Sequence, residues 1–354
     1  MSAHDVSLAH MRPALKAGLL PVWRDRDTLQ IGIDPRRAIA LAGLGRAAAL
    51  LSLLDGSRDH AGVIAAAQGL GIPAEAADQV LALLAAAGAL HDCPAGTHRA
   101  LPHSLRARLA PELAAASLAH GDGDGGARTL ARRRAAFVRV QGAGRVGSCI
   151  ATLLAASGVG RVACRDPGTV RPADLAPAGL ARADLGVPRA LGAARAIRRA
   201  APDVRIDDDG SWPDFAVLTD CHDPDVAADL MRERIPHLAA SASEAIGVVG
   251  PLVDPARTAC LRCLDLSRTD RDPAWPLILA QLAGARPEPQ ACGAALAMAV
   301  AAQATAQALA FIDRPGTATA TANGTLELVM PEWQWRRRTW LPHPSCRCTT
   351  DSRS

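Results

Sequence analysis

From Phe137 to Asp166 the chain reads FVRVQGAGRVGSCIATLLAASGVGRVACRD. A short apolar run precedes Gly142-x-Gly144-x-x-Gly147. An Ala/Leu-rich stretch closed by Gly158 and Gly160 follows, and a second apolar run ends in Asp166. That order predicts strand, tight turn, helix and strand. Residues 188–200 carry a helical pattern, Val204–Ile206 and Phe215–Leu218 are short strand-like runs, and Pro224 opens a further helix over 225–234. Beyond them lie strands at Leu238–Ala242 and Ile246–Val249, a long Ala-rich helix from Gly293 to Phe311, and paired strands at Thr325–Met330 and Trp333–Trp340. Helices alternating with short buried strands predict an α/β, Rossmann-like domain with a mostly parallel sheet over residues 132–348.

The front of the chain has another rhythm. Leu20–Trp23 and Thr28–Ile33 are extended runs separated by Arg24-Asp25-Arg26-Asp27, which predicts a hairpin. Three helical patterns follow, around 36–53, 59–69 and 74–88, punctuated by Asp55-Gly56 and by Gly71 before Pro73. A hairpin with three short helices is a winged-helix arrangement, placed here at 12–95. A linker at 96–131 holds the run Gly121-Asp122-Gly123-Asp124-Gly125-Gly126, with one helix over 104–118, and residues 349–354 form a tail.

Charge narrows the function classes. Winged helices often bind DNA, yet between Asp59 and His98 there is no Arg or Lys, so no cation is available there to neutralise phosphate. A nucleic-acid partner is therefore not expected, and the net charge of +4 over 354 residues gives no contrary signal. Lys16 is the only lysine, which nearly excludes lysine chemistry. The first residues lack a basic start and apolar core, and the later apolar stretches are broken by Gly, Gln or charge. A cytoplasmic protein without a membrane partner is expected. Nine cysteines without an export signal point to metal or thiol chemistry rather than disulfides.

Candidate chemistry sits in three places. Gly142 takes the turn, Gly144 admits a phosphate, Gly147 lets the helix approach the sheet, and Asp166 is placed to accept hydrogen bonds from a ribose. Asp220-Cys221-His222-Asp223 follows the fourth strand, where ligands of such sheets bind. Asp223 either holds magnesium on a triphosphate or caps the next helix. Cys260-x-x-Cys263 and Cys346-x-Cys348 supply four thiolates for a closed structural zinc site, with His343 an alternative to one of them. Cys292, before the Ala-rich helix, is either a reactive thiol or a packed one.

These motifs resemble two known families. PVWRDRDTLQIG, LLDG and the AAAGAL ending are similar to small winged-helix elements that bind leader segments of ribosomally made peptides. GAGRVG, ASGVGRVACRD, LGVPRA, DCHDP, CLRC and Cys292, in that order over about 132–348, resemble the ThiF/E1-type adenylating superfamily. That superfamily includes sulfur-carrier activators and ubiquitin-activating enzymes. The second resemblance implies a homodimer that uses ATP and magnesium, with an Asp at the position of Asp223 handling the metal. It also implies Arg, Asn and Lys side chains gripping phosphate. This chain departs there: Gly168 replaces an acidic residue, Asp174 an Asn, Pro177 an Arg, Arg189 a Lys, and Pro224 an Asn. Arg189 keeps a cation for phosphate, although it is not equivalent to Lys. Together the two resemblances imply a leader-peptide-binding partner of azole/azoline-forming pathways. Such a partner presents a precursor peptide to a separate cyclodehydratase while its own ATP site is degenerate. The alternative is an active ATP-dependent adenylyltransferase or sulfur-carrier activator.

Overall fold

The computed structural model describes residues 10–93, 102–219, 224–282 and 290–348. The chain divides into two compact units, residues 1–131 and 132–354.

In the first unit β1 (Pro13–Leu15) pairs antiparallel with β5 (Leu90–Asp92). Strands β2 (Pro21–Trp23), β3 (Thr28–Ile31) and β4 (Ile39–Ala42) form an antiparallel three-stranded sheet. The helix expected over 36–53 is instead strand β4 followed by a 3₁₀ helix at Gly45–Leu53. Ile39 and Leu41 face Ile31 and Leu29 across the sheet, so alternation wins over helical period there. Gly43 and Gly45, both at positive φ, then turn the chain. Helices α1 (His60–Gly69) and α2 (Ala74–Ala86) close the core over Ile31, Leu50, Val63, Ile72, Leu81 and Leu84. Asp59 caps α1 through Gly62 N. Helix α3 (His103–His120) ends on Gly121 in the left-handed conformation, and α4 (Ala127–Ala135) leads into the second unit.

The second unit is a seven-stranded sheet. Strands β6 (Phe137–Gln141), β7 (Arg161–Arg165), β8 (Phe215–Thr219) and β9 (His237–Ser243) run parallel. Antiparallel β10 (Ile246–Val253), β11 (Gly324–Val329) and β12 (Trp335–Thr339) complete the order β12-β11-β10-β9-β8-β6-β7. The expected strand at 204–206 amounts to a single parallel bridge between Arg161 and Arg205. Beyond it, Asp207, Asp208 and Asp209 pair with arginines 161, 165 and 205 and draw the chain off the sheet.

Helices α5 (Arg145–Ala156) and α10 (Ala294–Asp313) pack on one face of this sheet. Val138, Val140, Ile150, Leu154, Val217 and Val300 are fully buried there. Among the described residues α10 is the one helix long and apolar enough to cross a membrane, but its Leu296, Val300, Ala304 and Ala308 lie in this core. A buried bidentate pair, Arg133 to Asp313 with both bonds 2.8 Å, anchors its end. On the opposite face α7 (Pro224–Arg232) covers Ala216 and Leu218 of β8. Helix α6 (Arg189–Ala200) packs beside α5, and α8 (Leu261–Thr269) and α9 (Trp275–Leu282) precede α10.

Candidate functional site

The glycine turn follows β6 directly. Gly142 sits at φ +89°, and a Cβ there would lie 2.5 Å from the Thr219 carbonyl oxygen. Gly147 is more constrained, since its Cβ would lie 1.9 Å from the Gly142 carbonyl oxygen. Thr219 Oγ1, at the end of β8, lies 2.9 Å from the carbonyl oxygens of both Gln141 and Gly142 and pins the turn from the neighbouring strand. Gly144 is the N-cap of α5, so the free amides of that helix open beyond the carboxyl end of the sheet. This is the geometry the Gly142, Gly144 and Gly147 spacing predicts.

A charged trio stands beside the turn. Asp166, just past β7, accepts 2.7 Å bonds from the backbone amides of Ala143 and Gly168. Arg189, the first residue of α6, donates through Nε and Nη2 to the two oxygens of Asp174, both at 2.8 Å, and its Nη1 lies 3.7 Å from Asp166. A Cβ on Gly168 would come within 3.0 Å of Arg189 Nη1 and of Asp166 Oδ1. The three departures at 168, 174 and 189 are therefore one arrangement. A larger cation occupies the place, an acid replaces an amide to hold it, and glycine clears the room it needs. Arg189 is thus matched by two carboxylates, and the three side chains together carry one net negative charge.

Two residues that the sequence reading passed over complete this region. Arg145 bridges from the glycine turn to the carbonyl oxygens of Ala173 at 2.8 Å and Cys292 at 3.0 Å. Its signal was its position inside the G-x-G-R-x-G run. Thr219 lies one residue beyond the run Phe215–Leu218 read as a strand, and no signal marked it. Cys292 is buried in the main core one residue before Gly293, the N-cap of α10. Burial, with a smaller contribution from Cys292, holds the neighbouring Cys149 thiol up at about 11. Asp223 and Asp220 lie outside the described residues.

The four cysteines do converge. Sulfurs of Cys260, Cys263, Cys346 and Cys348 all lie within 4.8 Å of one another, with separations of 3.7, 3.6 and 3.3 Å for 260–263, 260–346 and 263–348. A tetrahedral ion with metal–sulfur bonds of about 2.3 Å has edges of about 3.8 Å, so the cluster can hold one metal ion with small adjustment. Burial and neighbouring thiols push Cys260 up to about 12 and Cys348 also upward, while hydrogen bonds outweigh burial and draw Cys263 down; a bound cation would favour the thiolate at all of them. His343 is not a fifth candidate. Its Nε2 is 2.8 Å from Asp270 and its Nδ1 accepts from Ser345 N, which uses both ring nitrogens.

Solved structures with this fold span both units. Escherichia coli MccB with succinimide matches at TM-score 0.69 and 16% identity, covering 96% of this chain and 99% of that one. MccB with AMPCPP and MccA gives TM-score 0.68 and 15% identity, covering 95% and 99%. PaaA gives TM-score 0.68 and 16% identity, covering 91% and 98%. A comparison with curated protein sequences finds no significant match.

These findings overturn the expected role as a leader-peptide-binding partner that serves a separate cyclodehydratase in azole/azoline pathways. The front unit joined to an adenylating-type body was the basis of that expectation, and the same joined architecture is that of MccB and PaaA. Of the five departures behind the second basis, a degenerate ATP site, those at 168, 174 and 189 form one ion-paired arrangement rather than three separate losses. The ThiF family model matches residues 122–350, which is more than half of the sequence and includes the glycine turn, the charged trio and the four cysteines. The chain belongs to the ThiF family.

Proposed function

We propose that this chain is an ATP-dependent adenylyltransferase whose acceptor is a small peptide. The observation that carries the reading is the charged trio: Arg189 locked to Asp174 beside an intact phosphate turn. The pair leaves a guanidinium beside the turn, and Gly168 makes room for it. Support comes also from MccB, described as a microcin C7 biosynthetic enzyme, which has been captured with ATP and with N-formylated MccA.

In this reading the amides at the start of α5 hold phosphate and Asp166 takes the ribose. Arg189 meets the triphosphate charge, and Asp223 handles magnesium. A peptide carboxylate oxygen attacks the α-phosphorus, the bond to the β-phosphate oxygen breaks, and pyrophosphate leaves with the electron pair. The product is a peptidyl adenylate. Positioning and charge stabilisation supply the rate, in the manner of other phosphoryl and nucleotidyl transfers. The four thiols would hold zinc in a structural role, tying residues 346 and 348 to the start of α8.

The test is to incubate the purified chain with magnesium, N-formylated synthetic peptides and ATP labelled at either the α- or the γ-phosphate. Transfer of α-label but not γ-label to peptide is expected. Absence of α-label transfer to every peptide, beside an active MccB and MccA control, would overturn the reading.

A further inference from the structure

A triphosphate at the glycine turn needs positive charge around it. Arg189 supplies one guanidinium, yet Asp174 and Asp166 match it with two carboxylates, and the trio is left with an excess of negative charge. Arg145, the first residue of α5, is held differently. Its Nε donates to the Ala173 carbonyl oxygen at 2.8 Å and its Nη1 to that of Cys292 at 3.0 Å. Both acceptors are neutral, and among the described residues no carboxylate pairs with this guanidinium and Nη2 has no partner. The two bonds therefore fix the group in place without cancelling its charge. The segments that hold it all lie at one end of the sheet. Arg145 follows Gly144, where α5 opens beyond the carboxyl end of β6, and Ala173 precedes Asp174, the partner of Arg189. Cys292 follows Ala291, whose carbonyl oxygen accepts a 2.9 Å bond from Ala245 N in the turn after β9, a strand parallel to β8.

We infer that Arg145 is a phosphate-binding residue of the ATP site, the cation whose charge the trio leaves unanswered. Its Nη2 is the group that donates to a phosphate oxygen, while the carbonyl oxygens of Ala173 and Cys292 keep the guanidinium oriented. The inference rests on the proposed function and deepens it by assigning a second cation to the nucleotide. A guanidinium fixed by neutral acceptors is pre-organised: it meets an incoming anion at full charge and has no ion pair to break first. Arg189 has the opposite character, since any bond it makes to phosphate competes with two carboxylates.

The experiment titrates the full chain with ATP and magnesium, and separately with adenosine, in a calorimeter. Wild type, Arg145→Gln and Arg145→Lys are compared; glutamine keeps a donor for the carbonyls and removes the charge. In Arg145→Gln the affinity for ATP should fall on the order of thirtyfold while that for adenosine stays unchanged. Arg145→Lys should recover part of the loss, because it restores the charge without the planar fork. A second measurement needs no substitution. Labelling of Arg145 by phenylglyoxal in the wild-type chain, followed by mass spectrometry, should be slowed by pyrophosphate with magnesium and not by adenosine. Unchanged ATP affinity in Arg145→Gln, an equal loss for ATP and adenosine, a lysine variant no better than glutamine, or labelling that pyrophosphate does not slow overturns the inference. A wild-type chain that binds neither ATP nor adenosine strikes the proposed function itself, whereas ATP binding that ignores Arg145 strikes only this assignment.

Discussion

Replacing Arg189 by methionine isolates the charged trio. The side chain keeps much of its aliphatic length but loses two 2.8 Å bonds to Asp174 and the 3.7 Å approach to Asp166. Side-chain exposure is 13% for Arg189, 12% for Asp174 and 5% for Asp166, so two nearly buried carboxylates lose their cation together. Stranding a buried charge costs about 3–5 kcal/mol, and the remaining solvent contact places this case at about 3 kcal/mol. Asp174→Asn alone leaves Arg189 beside Asp166 and should cost about 1–2 kcal/mol. The double variant should cost less than the sum of the singles by about 1–3 kcal/mol, because the second substitution removes one of the stranded charges. Urea unfolding of all four proteins at neutral pH measures this. Tryptophan fluorescence is the probe, since five of the six tryptophans lie in the second unit. A cost below about 1 kcal/mol for Arg189→Met, or simple additivity, would refute the compensation argument on which the intact site depends.

Three further outcomes are expected. Gly147→Ala forces the start of α5 to retreat by about 1 Å from the Gly142 carbonyl; it should cost about 2–3 kcal/mol and abolish the rise in Tm with ATP and magnesium. Cys263→Ser should lower the metal content from one zinc per chain, measured by atomic emission, and reduce Tm on the order of 10 °C; unchanged zinc would remove the ion from these four sulfurs. His237 is 1% exposed, gives its Nδ1 hydrogen to the Ile235 carbonyl at 2.9 Å and leaves Nε2 unpaired, and burial holds its pKa down to about 4. Below its ordinary value of 6.5 the unfolded chain takes up this proton and the folded chain does not, so stability falls from pH 6.5 to pH 4 by on the order of 3 kcal/mol. His237→Phe should remove that part of the acid sensitivity, as read from urea unfolding at pH 7 and pH 4.5; an unchanged slope would contradict it.

The parallel half of the fold was legible because its strands are short apolar runs and its turn needs glycine at fixed places. Gly147 shows why: no Cβ fits between the helix and the Gly142 carbonyl. The four cysteines were legible because spacing within each pair is local, although only the fold brings 260 and 346 to 3.6 Å. Strand β4 was not, since Ile39 and Leu41 owe their conformation to Ile31 and Leu29, partners 8 and 12 residues away in β3. The trio was not legible as a unit for a different reason. Taken one at a time, Gly168 reads as a lost acid, Asp174 as a lost amide and Arg189 as a cation of another shape. Only the geometry makes them a set, with Arg189 filling the room that Gly168 leaves. Charge compensation is a property of distances, and a linear sequence does not carry them.

Peptide-dependent exchange of labelled pyrophosphate into ATP by the purified chain alone tests the account most directly. The account predicts exchange that requires magnesium and a small peptide with a free terminal carboxylate, and that falls sharply in Arg189→Met. Exchange that never rises above background with any such peptide, while nucleotide binding is intact, would contradict it.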